Sequence, residues 1–278
     1  MVFRTGGDQV ANLRGFFVRP HEARPKISAA MSANPHLNRV RALHRKKQRE
    51  EQGLFLVQGR KLVRELLGSR FRVDSIHATR EAAETMGLRD AIISPAHDLE
   101  RMGTFEHGNE VIAVVHVADE VPVRLPAANE LVLALDGIND PGNLGTVLRI
   151  ADQFGVKQVW CSEGSVEMYN PKCVQASMGS LFRVAVSSGD LPKALRDAIT
   201  AKANVYKAEA SGTDVFTVEL QRPAVLVLGS ESHGLSEEVE RVGGTSIAIP
   251  GSGGAESLNV AAAAAALCME FARRIIQK

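Results

Sequence analysis

The sequence predicts an α/β protein with a mostly parallel sheet, preceded by a smaller α/β unit. Three observations carry this. From about residue 130, short apolar runs recur, each followed by a polar loop and then a helical pattern. Strand–helix alternation of this kind lays neighbouring strands parallel, because each crossover returns the chain to the same end of the sheet. The runs "LVLALD" and "AVLVLGS" are apolar throughout rather than alternating, as strands covered on both faces should be. The chain has 278 residues, 45% hydrophobic and 23% charged, enough to bury a large core in one or two domains.

Taken in order, residues 1–30 contain Arg4, Arg14, Arg19, Arg24 and Lys26 but no long apolar core. That is no secretory signal. A disordered extension or a mis-assigned start is expected ahead of an Arg-rich presequence, with Met31 as the natural beginning. Residues 31–120 form the smaller unit. It opens with a helix whose face is basic: Arg39, Arg41, Arg45, Lys46, Lys47 and Arg49. "LFLVQG" reads as a buried strand, and "RKLVRELLGS", with Arg60 and Lys61 at its start, as a helix ending at a glycine. "VDSIHA", "DAIIS" and "EVIAVVHV" supply further short strands. A linker is expected over 121–129, where Pro122 and Pro126 interrupt the pattern.

The larger unit, 130–278, runs "LVLALD", the helix "TVLRIADQFG", then the strands "VKQVWCS", "VYKAEA", "AVLVLGS" and "SIAIP", then the helix "LNVAAAAAALCMEFARRIIQK". The alanine run lets that helix lie close to another backbone. Leu267, Phe271 and Ile275 recur every four residues and suit either an interface or core packing. No apolar run reaches the length of a membrane helix. Cys161, Cys173 and Cys268 form no Cys-x-x-Cys pair, so neither a disulfide framework nor a zinc site is expected, and a reducing, cytoplasmic setting fits best. No metal is expected.

Three polar, glycine-rich loops follow strands: "DGINDPGNLG", "GSESHGLS" and "PGSGGAESLN". In a parallel sheet all three reach the carboxyl edge, where open α/β sheets bind ligands. No Gly-Lys-Ser/Thr follows any of them, which argues against a nucleoside triphosphate. The third fails the last glycine of Gly-x-Gly-x-x-Gly, and no later strand supplies an acid for a dinucleotide ribose. Inside the helix after the first loop stands Arg149, among Val147, Leu148 and Ile150. An arginine on a largely buried helix needs a partner.

The stretch "NLGTVLR", 143–149, resembles motif 1 of the SpoU (TrmH-like) RNA ribose 2′-O-methyltransferases of the SPOUT superfamily. "GSESHGL", 229–235, resembles motif 2, and "IP" at 249–250 with "SLNV" at 257–260 resembles motif 3. The segment "FLVQGRKLVREL" is similar to the RNA substrate-binding domain, related to a ribosomal-protein fold, that precedes the catalytic domain in rRNA-modifying members. Gln58 departs from it, where glutamate is common.

The resemblance implies a C-terminal deep trefoil knot. It also implies S-adenosylmethionine held by Gly229, Ile249 and Leu258, with Leu228 and Pro250 beside them, and a homodimer joined through the knotted domain. Arg149 is implied beside the target ribose. A literal general base is awkward for a group with pKa above about 12. Gripping the adjacent phosphate and stabilising the developing alkoxide is the better account. Glu231 is expected to orient Arg149 or Asn143, and Asn143, Ser257 and Asn259 to contact ribose and cofactor. Arg39, Arg41, Arg45, Lys46, Lys47, Arg60 and Lys61 are the expected phosphate contacts. Large-subunit ribosomal RNA is the expected substrate. Transfer RNA and a non-catalytic assembly factor are the alternatives.

Overall fold

The computed structural model describes residues 35–254 and 257–276. The extension expected over 1–30 lies outside the described residues. The smaller unit holds α1 (Pro35–Ala42), α2 (Lys46–Gln52), β1 (Leu54–Gln58), α3 (Arg60–Leu67), β2 (Val73–Ala78), α4 (Arg80–Met86), β3 (Ile92–Ile93), α5 (Ala96–Met102) and β4 (Val111–His116). Its four strands lie in the order β1-β4-β2-β3, with β4 antiparallel to both β1 and β2 and β3 parallel to β2.

The single basic helix expected at the start is two helices. Leu43 is fully buried at the break, and the Arg49 guanidinium donates to the carbonyls of Leu43 at 2.8 Å and His44 at 2.9 Å. Those carbonyls have lost their helical partners, so a cation there satisfies the end of α1. Gly53, at φ 61°, closes α2. Gln58 uses both ends of its amide: Nε2 donates to the His107 carbonyl at 3.1 Å and Oε1 accepts from the Thr104 N–H at 2.9 Å. A glutamate could not donate, so the departure at 58 is matched to the 103–109 loop.

Residues 117–128 hold neither helix nor strand. The larger unit holds β5 (Leu131–Leu135), α6 (Pro141–Gln153), β6 (Gln158–Ser162), α7 (Pro171–Ala176), β7 (Ala185–Gly189), α8 (Leu191–Thr200), β8 (Asn204–Asp214), β9 (Ala224–Leu228), α9 (Glu237–Glu240), β10 (Thr245–Ala248) and α10 (Val260–Ile276). Its sheet order is β10-β8-β9-β5-β6-β7, and every pairing is parallel. β5 and β9, the two continuous apolar runs, are neighbours at the centre and wholly buried. β7, "AVSSG", carries too few apolar residues to be legible as a strand; its place beside β6 makes it one.

α6 and α7 pack closely because Gly145 is bare: a Cβ there would sit 2.5 Å from the Cys173 carbonyl oxygen and 2.7 Å from Ala176 Cβ. α10 packs against α6. Leu267 and Phe271 are core residues at 1% and 2% exposure, which decides the open question for those two; the Ile275 side chain lies outside the described residues. One core runs through both units. Phe55 lies 4.5 Å from Tyr169, and Phe71 lies 5.4 Å from Phe182, between ring centroids.

Candidate active site at the carboxyl edge

The loops after β5 and β9 leave adjacent strands, so the chain brings them together before any side chain acts. Asp136, buried at the end of β5, then ties them: its carboxylate accepts from the Ser236 N–H at 2.7 Å. Asp140 caps α6 by accepting from the Asn143 N–H at 2.9 Å, and pairs with Lys172 at 2.6 Å. Pro141 follows in the first helical turn, where its missing N–H costs nothing. The Lys172 bond, aided by the helix N–H groups, holds the Asp140 carboxyl below the usual aspartate range. Asp136 thereby acts as a brace of the first loop and Asp140 as its helix cap.

Asn143, Glu231 and Asn259, one from each loop region, meet. Asn143 Nδ2 donates to Glu231 Oε1. Asn259 Nδ2 donates to Asn143 Oδ1 at 3.1 Å and to Glu231 Oε1 at 3.4 Å. Asn259 Oδ1 also accepts from the Ala261 N–H at 2.9 Å, capping α10. Of the two partners expected for Glu231, the structure supplies Asn143.

Arg149 differs from the sequence expectation. It is exposed, and among the described residues no hydrogen bond or ion pair holds it. The apolar neighbours Val147 and Leu148 point inward while Arg149 does not, because helical rotation of 100° per residue separates adjacent side chains. The cation is left open to a ligand.

A cavity of about 330 Å³ lies at this edge, within the range of small-molecule sites. Leu228, Gly229, Glu231, Ser257 and Leu258 are in its lining. Ile249 and Pro250 are not: Ile249 packs half-buried against the core and Pro250 is exposed. Each lies at the root of the third loop rather than in its span. The sequence reading missed Ala208, Glu209 and Ala210 of β8, which form a wall, and Leu235 and Glu240. No loop motif marks β8; only its place beside β9 brings it to the site. Gly229 is required by its own loop, since a Cβ there would meet the Gly234 carbonyl at 2.3 Å.

The basic residues of the smaller unit divide. Arg39 pairs with Asp74 at 3.1 Å, and Arg60 with Glu110 and Glu81. Lys46 and Lys47 reach Glu50 at 3.6 Å and Glu51 at 3.7 Å along α2. Arg49, taken as part of the basic face, is buried against Glu167. Arg41, Arg45 and Lys61 are exposed with no ion pair among the described residues. Arg41 and Arg45, with Asn38 and His44, line a surface hollow.

Residues 130–269 match the SpoU rRNA Methylase family, and residues 34–119 match the MRM3-like substrate binding domain. The chain belongs to the SpoU methylase family. It is 31% identical over 229 residues to the 23S rRNA (guanosine(2553)-2′-O)-methyltransferase RlmP of Bacillus subtilis, covering 81% of this chain and 91% of that one. It is 32% identical over 205 residues to a 23S rRNA (uridine(2479)-2′-O)-methyltransferase of Streptomyces viridochromogenes, covering 71% of each. Among solved structures, a putative RNA methyltransferase of the TrmH family from Porphyromonas gingivalis matches at TM-score 0.79 and 37% identity, over 88% of this chain and 100% of that one. The SpoU methyltransferase AviRb from Streptomyces viridochromogenes, solved with AdoMet, matches at 0.79 and 26%, over 88% and 99%. The SpoU assignment makes this chain a methyltransferase and agrees with all three motifs.

Proposed function

We propose that this SpoU methyltransferase methylates a ribose 2′-hydroxyl of large-subunit ribosomal RNA, with S-adenosylmethionine as donor. The observation that carries it is the meeting of Asn143 and Asn259 with Glu231, which lines the cavity, with Arg149 left open on the helix that carries Asn143. Bound S-adenosylmethionine supplies an electrophilic methyl group on a sulfonium. The cavity suits such a cation: among the described residues its lining includes Glu209, Glu231 and Glu240 and no lysine or arginine. Leu228, Leu235 and Leu258 offer apolar contact for an adenine. Gly229 and Ser257 would hold the donor through main-chain and hydroxyl groups.

Glu231 accepts from both amides and so fixes which atoms they present. Asn143 and Asn259 then have defined orientations toward the ribose. Arg149 lies six residues, about 9 Å, along α6 from Asn143. Its guanidinium grips a substrate phosphate in a bidentate fork and stabilises negative charge as the hydroxyl loses its proton. An arginine side chain offers no acceptor, so the hydroxyl's proton leaves to solvent or phosphate.

Several finer features belong to the same reading. Residues 31–120 are the RNA-binding domain, 121–129 the linker and 130–278 the catalytic domain, and the smaller unit has a ribosomal-protein-like fold. Arg41, Arg45 and Lys61 are its best phosphate contacts, since they are exposed and unpaired. The catalytic domain is a trefoil knot, a reading supported by β9 inserting between β5 and β8 and by α10 returning to α6. The protein acts as a homodimer; exposed Met269 on α10 favours a partner there. The three cysteines are free and buried, which suits a reducing cytoplasm.

Incubation with methyl-labelled S-adenosylmethionine and unmodified total RNA, then alkaline digestion, tests the reading. Label in alkali-stable dinucleotides of large-subunit RNA is expected, because a methylated 2′-oxygen cannot attack its phosphodiester. Label in transfer RNA would overturn the substrate. No label with free RNA or with ribosomal particles would overturn the activity.

A further inference from the structure

Three groups outside the loop site link the two units. Arg183, between α7 and β7, holds two carboxylates at once. Its Nε donates to Asp152 Oδ2 at 2.9 Å with one terminal nitrogen 2.8 Å from the same oxygen, and the other terminal nitrogen donates to Glu65 Oε2 at 2.5 Å. Asp152 lies on α6, one turn beyond Arg149. Glu65 lies on α3 of the smaller unit. Ser180 Oγ adds a further hydrogen bond to Asp152, at 2.9 Å.

The backbone is shaped to admit this bridge. Gly179 has φ +96°, and a Cβ there would stand 2.9 Å from Glu65 Cγ. Any other residue would both strain the backbone and push Glu65 away. The Asp152 bond raises the Arg183 pKa. Burial pushes the Asp152 carboxyl up, but the bonds from Arg183 and Ser180 outweigh it and hold the carboxyl below its usual range.

We propose that Arg183 is a positioning residue: by holding Asp152 and Glu65 together, it sets the RNA-binding unit in register with the helix that carries Arg149. The inference rests on the functional reading above, in which RNA is bound by one unit and methylated at the other. Each unit binds its own ligand without the bridge. The shared core and the Arg49–Glu167 pair already join the units; the bridge adds the fine register of α3 against α6, and an error of about 1 Å there costs up to about a hundredfold in rate. Ion pairs as exposed as these contribute little to stability, so a loss of turnover would not follow from unfolding.

The test uses the full chain and the RNA that wild type methylates, comparing Glu65→Gln and Arg183→Gln with wild type. Turnover at saturating RNA and donor is expected to fall by about tenfold or more. The Kd for RNA by filter binding, the Kd for S-adenosylmethionine by calorimetry, and the melting temperature should hold. Glu65→Gln with Arg183→Gln together should be no worse than Arg183→Gln alone, since both break one bridge. Wild-type turnover in Glu65→Gln overturns the inference, as does a fall that only tracks lost affinity or a lower melting temperature. If Arg183→Gln does not fold, Glu65→Gln decides alone. A wild type that methylates no RNA overturns the functional reading instead, and that result is distinguishable because it precedes any comparison of variants.

Discussion

The arginines of the smaller unit's basic segment and Arg149 of α6 differ in what the fold gives them. In the smaller unit, Arg39, Arg49 and Arg60 are paired with Asp74, Glu167, Glu81 and Glu110, none of which is near them in sequence. In the larger unit, Arg149 stands in an apolar stretch and has no partner among the described residues. The dense basic segment therefore has fewer available charges than its composition suggests, and the isolated arginine has more. Charge count measures supply; only the fold decides what remains unspent for a ligand.

Breaking the open cation should have the largest effect. Arg149→Ala is expected to lower turnover by about 10²–10³-fold, as loss of a transition-state charge contact does, while S-adenosylmethionine binding is retained. Arg149→Lys should recover only part, because a point charge cannot replace a planar fork. Turnover near wild type in the lysine variant would show that the fork is not required.

Breaking a spent cation should act on folding instead. Arg49→Ala leaves Glu167 without its partner and the carbonyls of Leu43 and His44 unsatisfied. Loss of a buried pair costs about 3–5 kcal/mol, to be measured by urea denaturation. A variant of wild-type stability but weak RNA binding would move Arg49 to the phosphate-contacting set.

Glu270 sharpens the same contrast within the larger unit. It accepts from Arg273 at 2.7 and 2.8 Å and from Arg274 at 2.7 Å, and Arg274 reaches the Val215 and Phe216 carbonyls. The Arg273 bond is the chief cause that pulls the Glu270 carboxyl down to about 2. A depressed carboxyl stabilises the fold above its unfolded pKa of about 4.3, and that contribution fades as pH falls toward the folded value. Glu270→Gln should cost about 2 kcal/mol at pH 7, with the gap to wild type closing as pH drops from 4 toward 2 in thermal melts. A gap independent of pH would mean that packing, not charge, is what the variant loses.

The smallest effects belong to the exposed bases. Arg41→Ala with Arg45→Ala should weaken RNA binding, reduce the log–log salt slope by about 1–2, and leave stability within about 0.5 kcal/mol. An unchanged salt slope would remove this hollow from the RNA path.

The loops that form the candidate site were legible because loop chemistry is local. Asn143, Glu231 and Asn259 stand in glycine-rich segments after apolar strands, and parallel alternation places such loops on one edge. That Glu231 would bond Asn143 rather than Arg149 was not legible, since the choice depends on the direction of each side chain. Ile249 and Pro250 belong to the motif yet not to the cavity lining, while Glu209 belongs to the lining yet to no motif. β7 was illegible for the same reason: "AVSSG" becomes a strand only through its pairing with β6.

By itself the sequence determined the parallel core, through the unbroken apolar runs of β5 and β9. This is a nearest-neighbour effect of burial and backbone geometry. The tertiary structure alone decided which arginines are spent, that the opening basic segment is two helices clasped by Arg49, and that Arg183 spans the two units. Those outcomes depend on carboxylates and carbonyls brought close from distant parts of the chain. An ion pair has no periodicity to read; it exists only where folding has already paid the entropy of bringing its partners together.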